Sequence, residues 1–117
     1  ALVIAKFLKQ KREGQPMTIT GDGEQTRDYT SVHDIVRANF LAATNAAAKD
    51  GELFNIGAGD NYSVNAVAKM IGGEVVHIPP RLEPKHTLAD NSKAQKILGW
   101  KPEVRLEQGI AELLKTV

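Results

Sequence analysis

The residues best suited to chemistry stand in the run Gly21-Asp22-Gly23-Glu24-Gln25-Thr26-Arg27-Asp28-Tyr29-Thr30-Ser31-Val32-His33-Asp34. Arg27 carries a planar, permanently charged fork that can take a carboxylate or a phosphate through parallel hydrogen bonds. Glycine at 21 and 23 permits a tight turn with positive φ just ahead of it. Asp34, directly before Ile35, can accept the amide protons of a helix's first turn. These residues alone support two readings. Either Arg27 faces an anionic ligand, or Arg27 and Asp28 form a solvated pair of little energetic weight beside an ordinary N-cap. A second arginine, Arg81, opens a stretch, 81–88, without helical or strand periodicity. A loop there can reach a ligand, and the alternative is again a solvated arginine.

The elements that must position these side chains follow from periodicity and punctuation. Ala1–Arg12 places Val3, Ile4, Phe7 and Leu8 at helical spacing opposite Lys6, Lys9, Lys11 and Arg12, and Gly14 ends it. Met17–Thr20 after Pro16 is a short β-type run, so Arg27 is expected on a loop between a strand and a helix. From Ile35 to about Ala48 a helix is expected, with Val36, Phe40, Ala43 and Ala47 as its apolar face. Leu53–Ile56 reads as a strand stopped by Gly57-x-Gly59. Ser63 caps a helix with Val64, Val67, Ala68 and Ile71 inward, closed by Gly72-Gly73. A third strand, Glu74–Ile78, stops at Pro79-Pro80. Asn91 or Ser92 begins a helix with Ala94, Ile97 and Leu98 inward, ended by Gly99, and Trp100 is expected in the core. A last helix presents Leu106, Ile110, Leu113 and Val117.

Composition excludes several function classes. Fifteen basic against fourteen acidic residues leave no field that would draw nucleic acid or an anionic membrane, so anion binding must be local. Cysteine is absent and the histidines at 33, 77 and 86 have no ligand spacing, which argues against a metal site. No apolar run approaches the roughly twenty residues of a membrane span, and the expectation is a soluble, cytoplasmic, single-domain chain. Gly57-x-Gly59 after a strand suggests a dinucleotide fingerprint, but Tyr62 stands where the third glycine belongs. That turn is therefore expected to be structural.

Taken together, the run from Gly21 to Asp34 resembles the G-x-G-x-Q-x-R-D-[FYW]-x-x-V-x-D signature of the nucleotide-sugar epimerases and dehydratases, the NAD-dependent extended short-chain dehydrogenase/reductases. Phe54-Asn55-Ile56-Gly57-Ala58-Gly59, Pro80-Arg81, Ala89-Asp90-Asn91-Ser92-Lys93-Ala94, Leu98-Gly99-Trp100-Lys101-Pro102 and Leu106-Glu107-Gln108-Gly109 resemble further pieces of the family in the same order. The resemblance implies an α/β fold, the C-terminal substrate-binding portion of such an enzyme, with short strands interleaved with four or five helices. It implies that Arg27 and Arg81 grip the diphosphate of a nucleotide-diphosphate sugar, that Glu83 bonds ribose hydroxyls, and that Tyr29 lines the pocket. Asp28, Asp34 and Asp90 are expected to serve structure.

The family's chemistry also needs NAD and a Tyr-x-x-x-Lys pair. Four residues after Tyr29 stands His33, and four after Tyr62 stands Ala66. No catalytic residue and no cofactor is therefore assigned to these residues, and NAD is implied for a full-length enzyme through an N-terminal Rossmann domain that this sequence lacks. The chain by itself is expected to be inactive and, with its apolar helix face uncovered, to self-associate. The leading expectation is a UDP-sugar 4-epimerase. A dehydratase, reductase or decarboxylase is the alternative within the family, and a non-catalytic binding module is the alternative outside it. One departure bears on the site: Arg81-Leu82-Glu83 is one residue shorter than the family's R-x-G-[DE].

Overall fold

The computed structural model describes residues 2–117. In chain order the elements are α1 (Val3–Arg12), β1 (Met17–Thr20), β2 (Thr26–Arg27), α2 (Val32–Thr44), β3 (Tyr62–Ser63), α3 (Val64–Ile71), β4 (Val75–Ile78), a π-helical segment (Ala94–Leu98) and α4 (Leu106–Leu114). This is the expected α/β interleaving of short strands and helices. Ala1 of the expected first helix lies outside the described residues. The backbone divides into two compact units: one takes the chain as far as Arg27 with Tyr62–Thr87 and Glu107–Val117, the other Asp28–Asn61 with Leu88–Leu106. Among the described residues no helix is long and apolar enough to cross a membrane.

In the first unit β1 and β4 pair in parallel, Met17 opposite Val75 and Ile19 opposite His77. Met17 and Ile19 point inward, alternating with half-buried threonines, as a strand with one covered face requires. Phe7 and Leu8 are the buried residues of α1. The Ser63 hydroxyl accepts the Ala66 amide proton at 3.0 Å and starts α3, whose Val64, Val67, Ala68 and Ile71 are buried. Burying each valine or isoleucine of that stripe contributes about 1.5–3 kcal/mol. Gly72, at φ 77°, ends the helix, and Lys11 Nζ donates to its carbonyl at 2.9 Å. A second ladder, β2 with β3, is antiparallel and pairs Arg27 with Tyr62. Arg27 thus sits in a short strand rather than the expected loop. Ile110 is the buried residue of α4, while Leu113 of the expected stripe is exposed.

The second unit departs more from expectation. Its α2 begins at Val32, and the cap is Ser31, whose hydroxyl accepts the His33 amide proton at 3.2 Å. The inward residues are Asp34 and Ala38, with Leu41 packed on the core of Ala38, Ala94, Leu98 and Trp100. The expected apolar stripe faces the other way: Val36 is 60% and Phe40 66% exposed. The helix stops at Thr44 because Asn45 turns the chain, its side-chain oxygen accepting the Ala47 amide proton at 2.9 Å. Leu53–Ile56 belongs to no strand, although Phe54 and Ile56 pack on the core. Trp100 is fully buried as expected, and its indole N–H reaches the Asp34 carbonyl at 2.9 Å. The helix expected from Asn91 or Ser92 is mostly π-helical, and Gly99 closes it in the left-handed conformation at φ 64°.

Candidate functional site

Three of the four site residues expected from sequence come together in the first unit. Arg27 lies in β2, held by its pairing with Tyr62, and its Nη1 donates to its neighbour's carbonyl, Thr26 O, at 2.7 Å and to Lys85 O at 3.4 Å. Its Nη2 stands 3.6 Å from Oε1 of Glu83. From the loop after β4, Arg81 Nε donates to the other oxygen, Oε2, at 3.1 Å. One carboxylate therefore spans two guanidinium groups. Arg27 is three-quarters covered, whereas 71% of the Arg81 side chain is open to solvent. The fourth residue, Tyr29, is half-buried in the second unit.

Arg81 and Glu83 line a groove of about 1000 Å³ whose wall also includes Thr20, Gln25, His77 and Lys85. The glycine turn shapes its rim. Gly21 has φ 66°, its amide donates to Ile78 O at 2.8 Å, and a Cβ on it would lie 3.3 Å from Pro80 Cβ. At Gly23, with φ 76°, a Cβ would fall 2.0 Å from the Asn65 side-chain oxygen, so the chain passes there only as glycine. His77 was not singled out beforehand. Its Nδ1 donates to the Gly21 carbonyl at 2.8 Å, which fixes the ring and leaves Nε2 as its acceptor when neutral. The available signal was its place one residue from the end of a strand that runs into Pro79-Pro80.

The aspartates of the signature do something else. Asp28 accepts the amide protons of Ala58 at 2.9 Å, Gly59 at 3.0 Å and Ala89 at 3.1 Å, together with the Thr30 hydroxyl at 3.2 Å. It is a clamp on the 57–59 turn. Asp34, 1% exposed, does not cap its own helix as expected: it accepts the amide protons of Glu103 at 3.0 Å and Val104 at 3.1 Å and the Arg37 Nη1 proton at 3.0 Å. Asp90 accepts both the amide and the hydroxyl protons of Ser92, at 3.1 and 2.6 Å, and the hydroxyl first, then the amide, lowers its pKa below the ordinary value. All three are structural carboxylates.

The 57–59 turn does not fit a dinucleotide. A Cβ at Gly57 would lie 2.3 Å from Ala89 Cβ, so side chains already occupy the approach a pyrophosphate would need. The amides of Ala58 and Gly59, the donors such a ligand would require, are engaged by Asp28.

The family follows from comparison with known proteins. The chain belongs to the nucleotide-sugar epimerase/dehydratase class of extended short-chain dehydrogenase/reductases, and the family described as GDP-mannose 4,6 dehydratase matches residues 2–113. The UDP-glucose 4-epimerase of Mycolicibacterium smegmatis is 37% identical over 97% of this chain and 38% of its own length. The crystal structure of UDP-glucose 4-epimerase with UDP-glucose from Thermotoga maritima superposes with a TM-score of 0.88 at 39% identity, over 98% of this chain and 38% of that one. UDP-glucuronic acid 4-epimerase from Bacillus cereus, in complex with UDP-glucuronic acid and NAD, does so with 0.83 at 32% identity, over 98% and 40%. The chain thus spans well under half the length of these relatives and corresponds to their C-terminal portion.

Proposed function

We propose that these residues form the nucleotide-sugar-binding domain of an NAD-dependent UDP-sugar 4-epimerase, in which Arg27 and Arg81 grip the diphosphate. The observation that carries this is the convergence of both arginines on a single carboxylate oxygen pair: two forks close enough to share one anion can share the doubly charged diphosphate of a sugar nucleotide. The family match and the epimerase relatives support the same reading.

NAD, when bound, supplies the hydride acceptor of such an enzyme. The Gly57-x-Gly59 turn does not fit it, so the cofactor is assigned to the family's dinucleotide-binding portion, which in this reading also covers the open face of α2. These 117 residues alone then have neither cofactor nor Tyr-x-x-x-Lys pair and should not turn over. A dehydratase is the second reading, favoured by the description of the matching family. Product mass separates the two, since an epimerase returns an isomer and a dehydratase releases water.

The test is calorimetric titration of UDP-glucose into a polypeptide that carries these residues behind a dinucleotide-binding domain. Arg27→Ala or Arg81→Ala should each weaken binding by about 1.5–3 kcal/mol, roughly tenfold to more than a hundredfold. Lysine should restore only part, because a point charge cannot reproduce the fork. Arg12→Ala, on α1, should change affinity little at physiological salt, where screening is strong beyond about 8 Å. Equal losses at all three positions would mean a diffuse field and no clamp.

A further inference from the structure

We infer that Glu83 is a built-in counter-anion: its carboxylate occupies the place between Arg27 and Arg81 that a ligand phosphate takes, and must swing out for the ligand to enter. The inference rests on the proposed diphosphate seat and assigns Glu83 a role opposite to the ribose contact implied by family resemblance. Both carboxylate oxygens are engaged, Oε1 at 3.6 Å from Arg27 Nη2 and Oε2 accepting from Arg81 Nε at 3.1 Å. A group so placed competes with an incoming anion for the same two forks.

The local sequence explains the placement. Arg81 and Glu83 flank a bend at Leu82, which is fully exposed, and Arg81 Nε donates to Glu83 across it. Glu83 is followed by Pro84, which holds it in the extended region, and Pro79-Pro80 stiffen the approach to Arg81. The family's motif has one more residue, a glycine, between this arginine and the acidic residue. Because the backbone is braced at both ends, release comes from the three side-chain torsions of glutamate and leaves the loop in place. With the carboxylate gone, the two cationic forks have no anion between them, which is the state that binds phosphate.

Titration of the same polypeptide, wild type and Glu83→Gln, with inorganic pyrophosphate and separately with uridine diphosphate tests this. Glutamine should tighten both ligands by about two- to thirtyfold, the range expected when two partly exposed ion pairs no longer have to be displaced. Glu83→Ala should show the same gain, and its melting curve verifies that the loop change leaves the fold intact. Weakened uridine diphosphate with unchanged pyrophosphate would assign Glu83 to the ribose and overturn the inference. Unchanged affinity for both would show that the carboxylate does not compete, and weakening of both would make it a brace for the arginines; either result also overturns it. Arg81→Ala, run in parallel, tests the seat itself. If pyrophosphate binding survives that change, the proposed function fails at its root. If it is lost while Glu83→Gln gives no gain, the seat stands and only the counter-anion falls.

Discussion

Replacing Asp34 should cost far more than its place in the first turn of α2 suggests. A helix cap is worth about 1 kcal/mol, and that is what Ser31→Ala should remove. Asp34 is 1% exposed and instead anchors a distant segment, with the Glu103 amide and Arg37 on Oδ1 and the Val104 amide on Oδ2. Alanine would leave two backbone amides without their acceptor and take one of its acceptors from the Arg37 guanidinium, which keeps Glu103 and the Lys101 carbonyl. Each charge-assisted bond is worth about 1.5–3 kcal/mol, but the three form one network, so their sum is a ceiling. Arg37 is 29% exposed and keeps Glu103 Oε1 at 3.4 Å, so the two amide bonds to the carboxylate carry most of the expected loss for Asp34→Ala, about 3–5 kcal/mol. Asparagine keeps one oxygen and should cost about half as much, roughly 1.5–3 kcal/mol. The Trp100 indole bond to the Asp34 main-chain carbonyl survives either change. Urea unfolding of wild type, Ser31→Ala, Asp34→Asn and Asp34→Ala gives the ranking, and hydrogen exchange at residues 103 and 104 locates the damage. If Asp34→Ala cost no more than Ser31→Ala, the anchoring argument would be wrong.

Three other outcomes are expected. Gly57→Ala should destabilise by about 1–3 kcal/mol through overpacking, because the new Cβ would lie 2.3 Å from Ala89 Cβ and 2.9 Å from Asp28 Oδ2; an unchanged urea midpoint would contradict this. Asp90, held below its ordinary value of 3.8 by Ser92, contributes stability that is present above that value and lost as pH falls through the lower folded pKa; Ser92→Ala should raise its titration midpoint in a carboxyl-carbon NMR titration and shrink the stability lost on acidification. Phe40→Glu, made in the isolated 117 residues, should reduce self-association in sedimentation without lowering the urea midpoint, since that ring is 66% exposed. Association that is unaffected would place the sticky surface elsewhere.

Local signals carried the elements whose boundaries are set by one residue's conformation. Ser63 starts α3 and the glycines at 72 and 99 end their helices because hydroxyl capping and positive φ are local physics. Signals needing a distant partner carried less. Leu53–Ile56 has strand composition, yet composition cannot supply the neighbouring strand, and none pairs with it among the described residues. The α2 start was displaced because Asp34 and Ser31 are equally good cap types. What distinguishes them is that Glu103 and Val104 claim the Asp34 carboxylate, which is information some seventy residues away. The same helix shows the limit of amphipathic reading. Periodicity finds the stripe Val36, Phe40, Ala43 and Ala47 but does not say which body covers it, and here the core takes the opposite side through Ala38 and Leu41.

The signature itself mixes two kinds of residue that spacing cannot separate. Arg27, Asp28 and Asp34 look alike in sequence, charged groups at motif positions beside a glycine turn. Their hydrogen-bond partners sort them. The carboxylates of Asp28 and Asp34 accept backbone amides from segments that need pinning, which is structural work needing no ligand. Arg27 reaches with Nη2 toward another side chain, the carboxylate of Glu83. A charge answered by amides holds the fold, whereas a charge answered by a second charge on a neighbouring loop can exchange that partner for another anion. By this criterion Arg81, whose Nε donates to Glu83 and whose side chain is mostly in solvent, is the more readily exchanged of the two. Arg27, tied also to the Thr26 and Lys85 carbonyls, is the fixed half of the proposed clamp.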